Sequence, residues 1–241
     1  MGKIRNNLYF RITRQSINFK ALSFKISNYM NILITGASSG IGKSTYELLK
    51  KDYNVIGISR NGPDLFLDLR NVENIKKIRE FLIEKSLKID VLINNMGNAY
   101  VKPFSNSQVE EIEEQIDLNL KSHILITKLL IENINENGII INIGSIASKI
   151  AFENWAVYSA SKFGIKGFSN ALRKELSKKN IRVSLIMPGA VWTPIWERNK
   201  FRKTDDMLMP EDIAKIIKFI IELPSYVNID EIVITHLKRA Y

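Results

Sequence analysis

The stretch "YSASK" places Tyr158 and Lys162 four residues apart in a segment that favours a helix, so both side chains should lie on one helix face. An ammonium group near a phenol stabilises the phenolate, and Lys162 is therefore expected to lower the tyrosine pKa from its usual value of about 10. Such a tyrosine can exchange a proton near neutral pH. The same spacing also occurs in ordinary surface pairs, so the neighbouring motifs decide its meaning.

A further hydroxyl, on Ser145, follows the apolar run "IIINI". Parallel strands collect their ligand-binding residues at their carboxyl ends, and a hydroxyl there could orient a carbonyl group. Together, Ser145, Tyr158 and Lys162 suggest proton transfer to or from a substrate oxygen.

The segment "ITGASSGIGKST", residues 34–45, fits two nucleotide-binding patterns. From Ala37 it is one residue short of a P-loop. From Thr35 it has the glycine spacing of a dinucleotide-binding turn. A P-loop enzyme also needs an acid at the end of another strand to hold magnesium. The relevant strands run instead into Asn94 and Gly144, which favours the dinucleotide interpretation.

Each glycine of the dinucleotide turn then has a purpose. Gly36 permits the sharp turn out of the strand, Gly40 lets the backbone approach the pyrophosphate, and Gly42 lets the helix pack close to the sheet. The phosphates would rest on the helix N-terminus.

The choice of dinucleotide is expected to depend on the end of the second strand, "NVIGIS". An acid there would bond the ribose 2′-hydroxyl and repel a 2′-phosphate, and so would select NAD. Here Ser59 ends the strand and Arg60 follows, which predicts NADP(H). The alternative is that Arg60 stacks on the adenine or points to solvent.

Short β-branched runs alternate with amphipathic stretches from Asn31 onward. This pattern predicts an α/β fold, a Rossmann-type doubly wound parallel sheet in a single domain. The predicted strands are "NILIT", "NVIGIS", "LFLDL", "DVLINN", "GIIINIG", "IRVSLIM" and "EIVIT". The predicted helices cover 40–51, 72–85, 107–133, 155–178 and 210–222.

The amino-acid composition limits which kinds of catalysis and which kinds of site the chain can have. The 241 residues include no cysteine and two histidines, which excludes thiolate catalysis and argues against any metal site. No apolar run approaches the roughly 18 residues of a membrane span. Of the net charge of +10, six positive charges fall within residues 1–29, which contain no acid. The remaining chain is mildly basic, and we expect neither nucleic acid nor a membrane as a partner.

Residues 1–29 are interpreted as a basic leader or upstream-start extension, and residues 30–241 as the catalytic domain. Met30 directly precedes the first strand, which favours an upstream start and a cytoplasmic protein. Cleavable organellar targeting is the alternative.

The motifs "TGASSGIG", "NNMG", "NIGS", "YSASK" and "PGAVWT", in this order, resemble those of the short-chain dehydrogenases/reductases. The resemblance covers about Asn31 to Thr235. The sequence departs from the family pattern at Met96, usually alanine, and at Gly144, usually serine.

The resemblance implies a catalytic tetrad of Asn119, Ser145, Tyr158 and Lys162, in which Tyr158 exchanges the proton, Ser145 holds the oxygen and Asn119 helps to fix a water. Lys162 would bind the ribose hydroxyls. It also implies that Asp68 contacts the adenine and that Asn95 lies beside the adenosine ribose. The cofactor-binding candidates are Gly36, Ser38, Ser39, Gly40, Ile41, Gly42, Ser59, Arg60, Asp68, Leu69, Asn95, Gly97, Tyr158, Lys162, Pro188, Gly189, Val191 and Thr193.

The expected protein is therefore an NADP(H)-dependent oxidoreductase that interconverts a small-molecule carbonyl and a secondary alcohol, as a homodimer or homotetramer. The C-terminal "NIDEIVI" resembles family members acting on 3-hydroxy acids or small ketones. The segment 192–207 lies where the family carries its substrate lid. A catalytically silent NADP-sensing regulator is the alternative from another functional class.

Overall fold

The seven apolar runs form one parallel sheet in the computed structural model, which describes residues 30–239. The strands are β1 (Asn31–Thr35), β2 (Asn54–Ser59), β3 (Leu65–Phe66), β4 (Ile89–Asn94), β5 (Ile134–Ile143), β6 (Arg182–Pro188) and β7 (Glu231–Ile234). Their order across the sheet is β3-β2-β1-β4-β5-β6-β7, and each neighbouring pair is parallel.

Helices connect most of the strands and cover both faces of the sheet. They are α1 (Gly40–Leu49), α2 (Val72–Glu84), α3 (Val109–Ile116), α4 (Ser122–Leu130), α5 (Ala156–Leu176), α6 (Pro194–Arg198) and α7 (Pro210–Glu222). The predicted doubly wound α/β fold is confirmed.

Alternate strand residues pack against different helices. On one face, Leu33 joins a core built with α2, α4 and α5. On the other, Ile32 and Ile34 join a core built with α1 and α7. Because both faces are covered, the strands are apolar on both sides, as expected for a parallel sheet.

The chain reverses direction across the sheet between β1 and β4. From β1 it proceeds to β2 and β3 on one side, then returns to β4 and continues to β7 on the other. A crevice forms at the carboxyl ends of β1 and β4, which is where open α/β sheets bind ligands.

The predicted helix over 107–133 is not continuous. A π-helical turn, Asp117–Lys121, separates α3 from α4 and contains Asn119. Such turns accommodate an extra residue and often occur at functional sites. Two strand predictions also differ from the structure, since β3 is shorter than predicted and β5 begins four residues earlier.

Every helix within 30–239 is too short or too polar to traverse a bilayer. The interpretation of residues 1–29 as a leader lies outside the described residues.

Candidate active site

A cavity of about 590 Å³ runs along the carboxyl ends of the strands. It is lined by most of the predicted site residues, namely Gly36, Ser38, Ser39, Gly40, Ile41, Ser59, Arg60, Asp68, Leu69, Asn95, Gly97, Ser145, Tyr158, Lys162, Pro188, Gly189, Val191 and Thr193. Gly42 and Asn119 do not line it and act from behind the surface.

The glycine turn between β1 and α1 is shaped by close backbone contacts. Gly36 and Gly40 have φ values of +70° and +51°, in the left-handed region that favours glycine. A Cβ atom on Gly42 would lie 2.2 Å from the Gly36 carbonyl oxygen. Gly42 therefore allows α1 to start close to the strand, as predicted.

The start of α1 is available to an anion. Ser39 precedes the helix but its side chain makes no capping hydrogen bond, and no acid lies in the first turn. The first N–H groups of a helix lack partners within it, so they present a partial positive charge to the cavity. Lys43 does not line this cavity, so the P-loop interpretation has no support from its position.

Asn95 joins β4 to the glycine turn. Its Nδ2 donates to the Thr35 carbonyl at 3.0 Å and to the Gly36 carbonyl at 3.3 Å. Its backbone N–H donates to Thr35 Oγ1 at 3.0 Å. These bonds fix the crevice between the two strands where the chain reverses.

The end of the cavity at β2 and β3 has two charged side chains, Asp68 and Arg60, of which only Asp68 is held by an ion pair. The Arg70 guanidinium holds Asp68, with Nε 3.0 Å from Oδ1, and this hydrogen bond lowers the pKa of the Asp68 carboxyl. The Arg60 side chain makes no hydrogen bond or ion pair with another residue in 30–239, although its positive charge also lowers the pKa of the Asp68 carboxyl. The Oγ of Ser59 is buried and also lacks a partner among these residues.

Tyr158 and Lys162 lie one turn apart on α5, and both reach the cavity. Lys162 is only 4% exposed, and its Nζ donates to the Ile143 carbonyl at 3.0 Å. The same Nζ lies 5.5 Å from the centre of the Tyr158 ring. Burial lowers the pKa of Lys162 to about 8.

The predicted lowering of the Tyr158 pKa is wrong as a net effect. Burial raises the pKa of this phenol, and a hydrogen bond with Ser145 offsets that rise only in part. Lys162 does not offset the effect of burial, since its ammonium lies over the ring, 5.5 Å from the ring centre, and donates to a backbone carbonyl. Tyr158 is therefore a protonated phenol at neutral pH.

Ser145 is held by the short turn that follows β5. Its Oγ accepts a hydrogen bond from the Ala147 N–H at 3.1 Å, and its own N–H donates to Ser148 Oγ at 3.3 Å. The Ser145 side chain also makes a hydrogen bond with Tyr158, so the two hydroxyl groups lie together in the cavity wall.

Asn119 is fully buried beneath the site. Its Oδ1 accepts from the Asn98 N–H at 2.7 Å, and its Nδ2 donates to the Asn98 carbonyl at 2.8 Å and to Ser161 Oγ at 3.1 Å. Ser161 Oγ in turn donates to the Tyr158 carbonyl at 2.7 Å. The side chain thus connects the loop after β4 to α5.

His123 was not among the predicted site residues. It is completely buried, and its Nε2 lies 2.7 Å from the Met96 carbonyl, next to Gly97 in the cavity wall. Burial and nearby Lys162 lower the pKa of His123 to about 3, so the ring is neutral and Nε2 carries the proton that is donated. Its place four residues after Asn119, on the same helix face, is the signal that could have found it.

Aromatic side chains form the far wall. Trp155 makes an edge contact with Tyr158 at 5.2 Å between ring centres and with Trp196 at 5.7 Å. Trp196 contacts Phe201 at 5.3 Å. The predicted lid, 192–207, thus contributes Trp196 and Arg198 to the cavity. Trp192, Lys200, Arg202 and Lys203 do not line it.

Comparison with known proteins found a matching family profile, a similar protein sequence and similar solved structures. The profile of the short chain dehydrogenase family matches residues 65–203. The NADP-dependent 3-hydroxy acid dehydrogenase YdfG of Escherichia coli (strain K12) is 30% identical to this chain, in an alignment that covers 88% of this chain and 97% of that protein.

Two solved structures extend the likeness to the fold. The closed form of serine dehydrogenase complexed with NADP+ is 29% identical with a TM-score of 0.81, covering 88% of this chain and 97% of that one. The 4-hydroxyisoleucine dehydrogenase complexed with NADH is 28% identical with a TM-score of 0.75, covering 86% and 97%.

Proposed function

This chain belongs to the short-chain dehydrogenase family and is an oxidoreductase, and we propose that it interconverts a carbonyl and a secondary alcohol with NADP(H). The observation that carries the proposal is that Ser145, Tyr158 and Lys162 line the same cavity as the glycine turn. Family membership also excludes the P-loop interpretation.

In the direction of carbonyl reduction, Ser145, Tyr158 and Lys162 have different roles. The hydroxyl groups of Ser145 and Tyr158 hold the carbonyl oxygen of the substrate, and Tyr158 Oη gives that oxygen its proton. The nicotinamide cofactor, when bound, supplies the hydride that reaches the carbonyl carbon. Lys162 places a positive charge beside the phenol as it loses its proton. Because burial raises the pKa of Tyr158, reduction is favoured at neutral pH and alcohol oxidation gains rate as the pH rises.

The residues present fit a phosphorylated dinucleotide. The uncapped start of α1 suits a pyrophosphate, and the unpartnered Ser59 Oγ and Arg60 suit a ribose 2′-phosphate. Two of the similar proteins are described with NADP and one structure with NADH, so the residues after β2 in this chain carry the assignment.

The substrate is proposed to be a 3-hydroxy acid or the corresponding small keto compound. The relative from Escherichia coli is a 3-hydroxy acid dehydrogenase. The wall of Phe152, Trp155 and Trp196 limits the length of the carbon chain that fits beside Tyr158.

A panel of carbonyl compounds followed by NADPH absorbance tests the proposal, with Tyr158→Phe as the variant. Loss of general acid catalysis should reduce turnover about 100-fold to 10,000-fold, while the NADPH dissociation constant is retained. Tyr226→Phe is the matched control, since Tyr226 is 88% exposed and does not line the cavity.

Two results would contradict the proposal. A Tyr158→Phe enzyme that keeps more than about a tenth of the activity would remove the proton-donor assignment. A wild-type protein that binds NADPH but turns over no compound of the panel would support the silent regulator instead.

A further inference from the structure

We infer that Arg239, on the tail after β7, binds a carboxylate group of the substrate. The enzyme would then select hydroxy and keto acids over their uncharged analogues. This inference rests on the proposed function and adds the residue that recognises the acid.

The position of Arg239 places it at the substrate end of the cavity. Arg60 and Asp68 lie at the β2 and β3 edge of the sheet, whereas Arg239 follows β7 at the opposite edge. The end of β7 is fixed beside the cavity, because the N–H of Gly189, a lining residue, donates to the Ile234 carbonyl at 2.8 Å. The tail that follows is short and turned, with the Arg239 N–H donating to the His236 carbonyl at 2.8 Å. The cavity therefore has Arg60 towards one edge of the sheet and Arg239 towards the other, and Tyr158 lies on α5, which connects the inner strands β5 and β6.

The charges along the cavity favour an anion at that end. The ionisable side chains that line it, apart from Tyr158, are Arg60, Asp68, Lys162, Arg198 and Arg239. The one acid among them, Asp68, is at the far edge and is held by Arg70. Within 30–239 no carboxylate lines the wall at Arg198 and Arg239. The Asp206 carboxylate, which does not line the cavity, is paired with Arg239 and offsets part of its charge, while Arg198 adds a second positive charge to the wall.

One edge of the Arg239 guanidinium is paired with a carboxylate, and the other edge has no hydrogen-bond partner within the described residues. Its Nε lies 2.8 Å from Asp206 Oδ2, and its side chain is 34% exposed. Neither terminal nitrogen hydrogen-bonds another residue of the described chain. Asp206 thus fixes one edge of the planar group and leaves the other for a carboxylate, which arginine can bind with two parallel hydrogen bonds.

Arg198 lines the same wall, but the two arginines are held differently. Arg198 is on the lid helix α6, is exposed, and its Nε reaches only the Pro194 carbonyl at 3.3 Å. Arg239 is more buried and is fixed by a carboxylate. The structure therefore assigns the anchoring contact to Arg239.

The first test compares 3-hydroxybutanoate with its methyl ester in the wild type and in Arg239→Gln. For the acid, kcat/KM should fall about 10-fold to 150-fold in the variant, mainly through KM, because a charge-assisted pair is lost. The ester should be little affected. Arg202→Gln is the control, since Arg202 is an exposed lid cation that does not line the cavity.

The second test measures binding without turnover. The tertiary alcohol 3-hydroxy-3-methylbutanoate cannot be oxidised to a ketone, and its binding to the enzyme with NADPH is followed by calorimetry. Arg239→Gln should weaken it by a similar factor, and Arg239→Lys should weaken it less, because lysine keeps the charge without the planar fork.

The outcomes separate the two proposals. Equal losses for acid and ester, or an unchanged dissociation constant for the tertiary alcohol in Arg239→Gln, would overturn the role of Arg239. A wild type that oxidises neither compound, and no other alcohol, contradicts the proposed function, and the calorimetry still decides the carboxylate contact.

Discussion

At the scale of single residues, the candidate active site buries a lysine whose positive charge the proposed mechanism needs. The proposed mechanism needs a proton on Lys162 to support the Tyr158 phenolate, yet Lys162 is 4% exposed and its pKa is lowered to about 8. When folding lowers the pKa of a basic group, the folded protein binds the proton more weakly than the unfolded protein does. Protonation of that group at neutral pH therefore opposes folding. The residue is retained at a cost in stability.

Replacing Lys162 with Met should therefore stabilise the protein at pH 7 while it abolishes activity. A shift from 10.5 to about 8 corresponds to roughly 3 kcal/mol, and the Ile143 carbonyl left without its donor reduces the gain. The measurement is urea unfolding of wild type and variant at pH 7 and at pH 10.

The direction in which the free energy of unfolding changes with pH serves as the control for this prediction. Between about pH 8 and the unfolded pKa of 10.5, the unfolded wild type binds more protons than the folded form, so its stability rises with pH. The advantage of Lys162→Met should shrink over that range. An advantage that is absent at pH 7, or that grows towards pH 10, would show that the ammonium is not desolvated.

We propose that cofactor preference is also set by single residues, Ser59 and Arg60. A charge-assisted contact of roughly 1.5 to 3 kcal/mol predicts that wild type prefers NADPH about 10-fold to 150-fold. The double variant Ser59→Asp/Arg60→Gln adds repulsion and removes attraction, so it should prefer NADH. The measurement is kcat/KM with both cofactors.

A control at Arg79, which carries the same charge on α2 and does not line the cavity, should leave the preference unchanged. A wild type that prefers NADH, or a double variant that still prefers NADPH, is incompatible with the assignment of Arg60.

At the scale of elements, the lid is tied to the loop after β4 by one side chain. Asn199 follows α6, and its Oδ1 accepts from the Val101 N–H at 2.9 Å. Its Nδ2 donates to the Ala99 carbonyl at 2.9 Å and to the Ile195 carbonyl at 2.8 Å. These bonds keep α6, with Trp196, over the cavity.

Asn199→Leu should loosen the lid. Loss of two bonds to the loop, at about 0.5 to 1.5 kcal/mol each, predicts a rise in substrate KM of roughly 5-fold to 150-fold. Trypsin should also cut faster after the exposed lid residues Arg198, Lys200, Arg202 and Lys203.

The lid prediction is checked against Asn106→Leu, since Asn106 is an exposed asparagine that makes no bond to the lid. Mass spectrometry locates the cuts. If Asn199→Leu and Asn106→Leu are cleaved in the lid at the same rate as wild type, Asn199 does not hold the lid closed.

At the scale of the whole molecule, residues 30–239 contain a sheet with both faces covered and the candidate cavity at the carboxyl ends of its strands. We expect that deletion of residues 2–29 leaves a folded, active enzyme that is a dimer or tetramer. The helices around Asn119 and Tyr158 are expected to form the interface through Ile124, Leu125 and Phe168. Leu125 and Phe168 pack partly against the core, and Phe163 on α5 is the more exposed apolar side chain. Calorimetry measures whether the truncated chain is folded, kcat/KM measures its activity, and light scattering at micromolar concentration measures its oligomeric state.

Full-length protein studied in parallel is the control for this truncation. A truncated chain without a thermal transition would show that residues 2–29 are structural. A monomer in both proteins would contradict the expected assembly.

The sequence by itself determined the fold class and most of the cavity lining. Alternating apolar runs and amphipathic stretches specify a parallel sheet, and the residues after each strand must then meet at one edge. Gly36, Ser59, Ser145 and Tyr158 were found in this way because each follows a strand or lies on a helix face of known period.

Only the tertiary structure decided what depends on contacts between distant segments. The pKa of Tyr158 follows from burial and from where the Lys162 ammonium is directed, which helical spacing cannot give. The π turn at Asn119 arises within a continuous helical pattern, and Arg239 reaches the cavity because β7 lies at the sheet edge. Periodicity describes how a segment presents its faces, whereas desolvation and charge depend on what packs against them.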